Sequence, residues 1–396
     1  MRKSTMVRAL AALALIGSTF TFSPAAATAA PASPAIAPTA LTSSKVKDIT
    51  GGELHNCAIT TKRTVRCWGD NTYGELGDGT TTSSSVPVAV ANLTKAKSIT
   101  AGFGFTCALT TSGKVWCWGF NAYGQLGNGT TTNSSVPVQV LGLTKIKSIS
   151  SGWYHACAVT SNRHLKCWGM NSSGQLGNGT TTNSGTPVDV VSLTKVKGSS
   201  GGVAHACAVT TTGKVKCWGN SSYGQLGANN TTESLTPVAP YNLPKVKVLK
   251  AGGYDTCVVT SKGAAKCWGF NANGQVGNGV TSGPVLAPAQ VVGLTKKVKT
   301  VEVGYLHVCA IKTNGKIMCW GAGTYGALGN GATTDSSSPV YVVGLSKAKD
   351  LGTGIYSSCA LTTSGKVRCW GYNNAGQLGN ATTADSNLPV AVVSLP

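Results

Sequence analysis

Residues 107–127 read Cys-Ala-Leu-Thr-Thr-Ser-Gly-Lys-Val-Trp-Cys-Trp-Gly-Phe-Asn-Ala-Tyr-Gly-Gln-Leu-Gly. The first eleven form a hairpin on paper: a loop of Thr111, Ser112 and Gly113 sets Cys107 opposite Cys117 and Leu109 opposite Val115. Gly113 suits the left-handed position that such a loop requires. Working outward, the Trp-Gly pair recurs at Trp68, Trp118, Trp168, Trp218, Trp268, Trp320 and Trp370, at a pitch of 50 residues with one step of 52. Each Trp follows a Cys, and a second Cys stands ten residues before that one, which uses all 14 cysteines. A Gly-x-Leu-Gly-like turn follows each Trp, from Gly74–Gly77 to Gly376–Gly379. A Ser/Thr/Asn-rich loop and a Pro-Val-x-Val segment complete the unit.

One unit offers four short strands, for example Pro87 to Leu93, Lys95 to Thr100, Thr106 to Thr110 and Lys114 to Trp118, separated by Gly or polar turns. Seven such units predict an all-β, seven-bladed β-propeller of four-stranded blades over residues 45–396. An open solenoid needs atypical capping repeats at its ends, and none is visible. With the units phased this way, the first lacks an outer strand. The C-terminal Pro389-Val-Ala-Val-Val-Ser-Leu395 is expected to supply it, closing the ring by pairing N- and C-terminal strands.

Upstream, Met1, Arg2, Lys3 and Arg8 precede an apolar stretch from Ala9 to Phe22 and a small-residue segment from Pro24 to Ala30. Residues 1–30 therefore read as a secretory signal peptide, too short in its apolar part to span a bilayer, and residues 31–44 as an Ala/Pro/Ser/Thr linker. No other segment approaches a membrane span. Only 11% of residues are charged, and 33 Lys plus Arg against 12 Asp plus Glu give a formal +21. Removing Arg2, Lys3 and Arg8 leaves 30 − 12 = +18. That excess suggests an anionic partner or surface without saying which.

The segments Gly152-Trp-Tyr-His-Ala-Cys-Ala-Val-Thr160 and Cys117-Trp-Gly-Phe-Asn-Ala-Tyr-Gly-Gln-Leu-Gly127 resemble the signature of the regulator of chromosome condensation (RCC1) repeat family. Seven copies agree in phase over roughly residues 45–396. The resemblance implies a seven-bladed propeller. Its functional implication is looser, because the family spans a nucleotide exchange factor, a plant ultraviolet receptor and secreted bacterial relatives such as β-lactamase inhibitory protein II. An export signal argues against the nuclear role, and only Trp116 and Trp153 lie outside the Trp-Gly position, which argues against the light sensor.

Export supplies an oxidising compartment, and opposed residues of a hairpin lie within disulfide range. Seven bridges are expected: Cys57–Cys67, Cys107–Cys117, Cys157–Cys167, Cys207–Cys217, Cys257–Cys267, Cys309–Cys319 and Cys359–Cys369. Zinc knuckles use a Cys-x₂₋₄-Cys spacing that is absent here. At the hairpin tips, Arg63 and Arg163 replace the usual Gly, so those two tips are expected to differ in shape.

Three side-chain series stand out. His55, His155, His205 and His307 precede the first Cys of their units by two residues, with Phe105, Asp255 and Ser357 elsewhere; a metal ring and a packing, hydrogen-bonding role are both open, the latter favoured by the interruptions. Lys pairs precede each presumed inner strand, among them Lys95/Lys97, Lys145/Lys147 and Lys195/Lys197, and predict a basic belt. That belt suits either an anionic cell-envelope polymer or a merely solubilising edge. Phe103, Phe105, Trp153, Tyr154, Tyr254, Tyr305 and Tyr356 cluster in the repeat and are candidates for a protein-binding surface or for packing between blades. The Thr-rich loops lack the closely spaced carboxylates of calcium sites.

No P-loop or His-Glu-x-x-His segment occurs, and the repeat does not place carboxylates in pairs. The expectation is a secreted, monomeric, rigid binding scaffold without catalytic residues, metal or cofactor. Its partner would be an extracellular protein or an anionic polymer; β-lactamase inhibition is the alternative taken from resemblance, and an enzymatic or metal-dependent propeller the remote one.

Overall fold

A computed structural model describes residues 45–395, so the expected signal peptide (residues 1–30) and linker (residues 31–44) lie outside the described residues. The chain forms seven four-stranded antiparallel sheets, each built from four consecutive strands. In the first blade these are Val46–Gly51, His55–Thr60, Val65–Gly69 and Ser84–Ala89. The other blades occupy residues 96–139, 148–189, 196–238, 246–290, 298–341 and 348–391.

The second and third strands are the hairpin read from the repeat. Cys107 pairs with Cys117 and Leu109 with Val115, and equivalent pairs recur in the other six blades. All seven disulfides are formed, with Cα separations of 4.0–4.1 Å. In the chain-entropy picture a closure this short is worth at most about 2.7 kcal/mol each.

Two expectations need correction. The Pro-Val-x-Val strand pairs with the third strand before it, not with the strand after it: Cys67 faces Val88 and Gly69 faces Ser84. A long loop can fold an outer strand antiparallel onto its own predecessor, so every blade is complete within one stretch of chain. The first blade consequently lacks nothing, and no strand from the C-terminus joins its sheet. The hairpin tips at Arg63 and Arg163 also keep the common shape. Both residues adopt φ values of 63° and 66°, beside 78° at Gly113. Arg63 N donates to Thr60 O at 2.9 Å, as Gly113 N does to Thr110 O at 3.0 Å. The hairpin register overrides the left-handed penalty of a side chain bearing Cβ.

Ring closure is instead side by side, and the closing junction repeats the other six. In every blade the Trp of the Trp-Gly pair is fully buried and donates its indole N–H to a carbonyl of the preceding blade. The series includes Trp118 to Glu75 O at 2.8 Å, Trp168 to Gln125 O at 2.9 Å, and across the closure Trp68 to Gln377 O at 3.0 Å. One core cluster joins Val46, Ile49, Ala58 and Trp68 to Cys359, Leu361, Val367 and Leu378, with Leu395 packed against it. An indole buried in this way contributes apolar area and satisfies its one polar atom, which explains why each interface needs Trp and not Phe.

Candidate binding surfaces

Antiparallel order puts the turns between first and second strands, and the long loops between third and fourth strands, at one end of the ring. The hairpin tips and the linkers between blades lie at the other. The first strands surround a channel of about 230 Å³, whose lining includes Asp48, Thr100, Ser150, Ser200, Lys250, Glu302 and Asp350. Lys250 Nζ lies 2.7 Å from Glu302 Oε2. Burial, reinforced by the nearby Asp350 carboxylate, pushes Asp48 up to about 7.

The loop end carries the aromatic residues. Phe103 stacks obliquely on Tyr154 at 4.8 Å and on Trp153 at 5.5 Å, and Trp153 meets Tyr305 at 4.6 Å. Tyr305 lies 5.8 Å from Tyr254, which continues to Tyr223 at 5.1 Å. All these rings are half-buried. Tyr356 belongs to a second group with Tyr325, 40% exposed, and Tyr372. The backbone beneath is tied from blade to blade by bonds such as Glu53 N to Gly102 O, Trp153 N to Gly202 O and Ile355 N to Glu53 O. The platform is therefore rigid.

Six of the seven expected aromatics thus sit on this end. Phe105 does not: it is fully buried in the core between the second and third blades. It occupies the strand position that elsewhere carries His, and that position faces the neighbouring blade. The repeat position two residues after Trp, which supplies Phe120, Phe270 and Tyr372, and the one before the next Gly, which supplies Tyr73, Tyr123, Tyr223 and Tyr325, contribute rings that the sequence reading passed over. Phe120, for example, lies 4.8 Å from Tyr73. Their signal was present, since these positions also recur in phase.

The histidines are not gathered into a ring of ligands. His55 Nε2 meets Thr106 Oγ1 at 2.8 Å, His205 Nε2 meets Thr256 Oγ1 at 3.0 Å, and His307 Nε2 meets Ser358 Oγ at 2.7 Å. Each bond crosses to the next blade. His155 instead faces the position of Ala206 and has neither ring nitrogen bonded, and the buried Asp255 carboxyl is equally unpartnered. Burial pushes His55, His155 and His307 down to about 4 and His205 to about 3, while it raises Asp255 well above the usual carboxylate range. Among the described residues, no group of three or more His, Cys, Asp or Glu side chains is arranged to hold a metal ion.

The Lys pairs lie at the opposite end. Lys95, Lys97, Lys145, Lys147, Lys195 and Lys197 are all exposed. Lys95, Lys145 and Lys195 precede their strands in left-handed turns, with φ of 58°, 53° and 56°, and Lys97 sits at a bulge between Ala96 and Ser98. Lys97 Nζ reaches the carbonyl of Lys147 at 3.4 Å, and Lys299 Nζ that of Lys349 at 3.0 Å. The segregation goes further than a belt. No turn or loop on the aromatic end contains Lys or Arg, whereas Glu53, Asp70, Glu75, Asp78, Glu233, Asp335 and Asp385 all fall there.

These features define a disulfide-bridged seven-bladed propeller with one aromatic, acidic end and one basic end. A family model for the RCC1-like domain matches residues 143–395, and RCC1 repeat models match residues 65–109 and 112–159 as well as 46–75 and 96–125. The chain belongs to the RCC1 repeat family. Prp20p from Saccharomyces cerevisiae is 20% identical, with a TM-score of 0.75 over 88% of this chain and 87% of that one. Human WBSCR16 is 20% identical at a TM-score of 0.73, covering 81% and 88%. The receptor kinase CR4 ectodomain from Physcomitrella patens is 20% identical at 0.54, covering 83% and 74%. Likeness at these identities concerns the fold alone. No curated relative matches the chain.

Proposed function

We propose that this propeller is a secreted protein-binding scaffold, without catalysis, that docks its partner on the aromatic end. The observation that carries the reading is the continuous run of half-buried rings from Tyr73 through Phe103 and Trp153 to Tyr305 and Tyr223, held on hydrogen-bonded backbone. Tyr, Trp and Phe are the side chains that anchor protein interfaces, because they bury large area at little entropic cost. Seven disulfides suit an exported chain, and among the described residues no helix is long and apolar enough to cross a membrane. A propeller of the same fold, Prp20p, is known for binding Gsp1p and histones and has been seen bound to Kap60.

The test is affinity capture from culture supernatant and from cell-wall extract, with a panel of β-lactamases alongside, comparing wild type with Trp153→Ala/Tyr154→Ala/Tyr305→Ala. Loss of a partner in the triple variant, at unchanged circular dichroism, is the expected result. Equal capture by both proteins would remove the aromatic end as the docking surface.

The charge segregation favours a second contact, between the basic end and an anionic cell-envelope polymer, through counterion release. Binding to such a polymer should weaken steeply as salt rises from 50 to 200 mM and should lose slope in a Lys97→Ala/Lys147→Ala/Lys197→Ala variant.

A further inference from the structure

The seven blades repeat so closely that departures confined to one of them are informative, and the first blade departs at three positions on the aromatic end. Glu53 stands where the others have Phe103, Trp153, Val203, Gly253, Tyr305 and Ile355. Asp70 stands where the others have neutral residues such as Phe120 and Phe270, and Glu75 replaces a Gln or Ala. The fold brings the three together: Asp70 N donates to the carbonyl of Leu54, the residue after Glu53, at 2.9 Å, and the charges of Asp70 and Glu75 both bear on Glu53.

Aromatic rings border the same spot. Tyr73 and Tyr154 feel the Glu53 charge. Phe120 bridges them, 4.8 Å from Tyr73 and 6.4 Å from Tyr154, and Phe103 closes against Tyr154 at 4.8 Å. Ring faces beside carboxylates form the chemical environment that holds an ammonium or guanidinium group.

Among the described residues no Lys or Arg forms an ion pair with these acids. In the channel the buried Glu302 has Lys250 at 2.7 Å, and on the blade surface Asp189 has Lys166 at 2.9 Å. Glu75 accepts a hydrogen bond from Tyr73 N at 2.7 Å, and Asp70 Oδ1 accepts from the hydroxyls of Thr72 and Ser83. The Glu53 carboxylate has no hydrogen bond or ion pair among the described residues. Burial, then the charges of Asp70 and Glu75, pushes it up to about 8. A carboxyl held in that condition, in a basic protein whose described turns and loops on this end contain no Lys or Arg, is complementary to a cation from outside.

We infer that the partner docked on the aromatic end is a cationic protein segment, whose Lys or Arg side chain enters between Tyr73, Phe103, Phe120 and Tyr154 and pairs with Glu53 and Asp70. This rests on the reading that the aromatic end docks a protein. It adds the chemistry of the anchor and its place at the first three blades.

The probe is an acetylated octalysine peptide at about 0.15 M salt, with octaserine as control, followed by calorimetry on the whole chain. Saturable binding of octalysine is expected, weakened about tenfold or more in Glu53→Gln/Asp70→Asn and in Tyr154→Ala, and unchanged in Lys262→Ala, at an exposed hairpin tip of the opposite end. Thermal melts identify any variant that has lost its fold. Glu53→Gln alone, the milder change, then serves as the second test and should give an intermediate loss. Octalysine binding no tighter than octaserine, or undiminished in folded Glu53→Gln/Asp70→Asn, would overturn the inference. If that double variant still captures the partner that Trp153→Ala/Tyr154→Ala/Tyr305→Ala loses, protein docking stands and the cationic anchor falls. If neither variant loses it, the docking surface itself is wrong.

Discussion

At the scale of single residues, the blade interfaces show what a histidine needs when it is buried. Three of the four give Nε2 to a hydroxyl of the next blade, and His155 meets Ala206, which has none to offer. Ala206→Thr restores the arrangement seen between His55 and Thr106, where the hydroxyl also donates to Glu75 O at 3.1 Å. A gain of about 1 kcal/mol in unfolding free energy is expected, read as a rise in denaturation midpoint at constant m-value. A loss would show that the site cannot admit the added volume.

Protonation gives a second residue-scale consequence. Buried histidines titrate near 3 to 4 in the fold and near 6.5 when unfolded, so below pH 6.5 the unfolded chain takes up protons that the fold refuses. Asp48, Glu53 and Glu75 do the reverse: burial raises them to about 7, 8 and 8, so above pH 4.5 the fold keeps protons that the unfolded chain has lost. Their contribution is therefore full at low pH and disappears as pH rises through 7 to 8. Melting temperature should climb on acidification from pH 9 to 6.5 and stop climbing below it, where the histidines oppose the carboxyls. In Glu53→Gln/Glu75→Gln the alkaline limb should flatten, and an unchanged limb would place the titration elsewhere.

At the scale of the element, the hairpin is what the sequence makes legible, because ten residues between cysteines, a three-residue loop and alternating burial all specify one register. The outer strand was legible as a strand but not in its pairing: Pro87 to Leu93 is separated from Lys95 by one residue and from Trp68 by a long loop, and proximity in sequence favours the wrong neighbour. Only the register of Cys67 with Val88 decides. Surface geometry is less legible still, since Phe105 and Phe103 are two residues apart yet one is packed between blades and the other open, a difference set by where the strand begins. The tips show register winning over local preference. Arg63 and Arg163 hold left-handed backbone that suits Gly, so Arg63→Gly and Arg163→Gly should each stabilise by about 1 kcal/mol, measurable by urea denaturation. A destabilisation would mean that the Arg side chains make contacts worth more than the strain.

At the scale of the molecule, the position of the break in the ring is arbitrary. Because every blade is complete in sequence, the junction of the seventh and first blades carries the same set of bonds as the rest: Val46 N donates to Gly365 O as Ala96 N does to Arg63 O, and Ala381 N to Ser85 O as Gly79 N does to Ser135 O. The chain ends in Leu395-Pro396, and the first blade begins at Lys45. Joined directly, they would read Leu-Pro-Lys, which is the linker Leu243-Pro244-Lys245 already used between the fourth and fifth blades. A circular permutant that fuses Pro396 to Lys45 and opens the chain between Leu141 and Gly142, both exposed in the linker after the second blade, should therefore fold with all seven disulfides and a melting temperature within a few degrees of the parent 45–396 chain. Closure by a strand shared between the termini would give a different outcome, because the same cut would then orphan an outer strand and the same fusion would strain its pairing. A permutant that melts far lower, or that exposes free thiols, would show that the seventh interface is not equivalent to the other six.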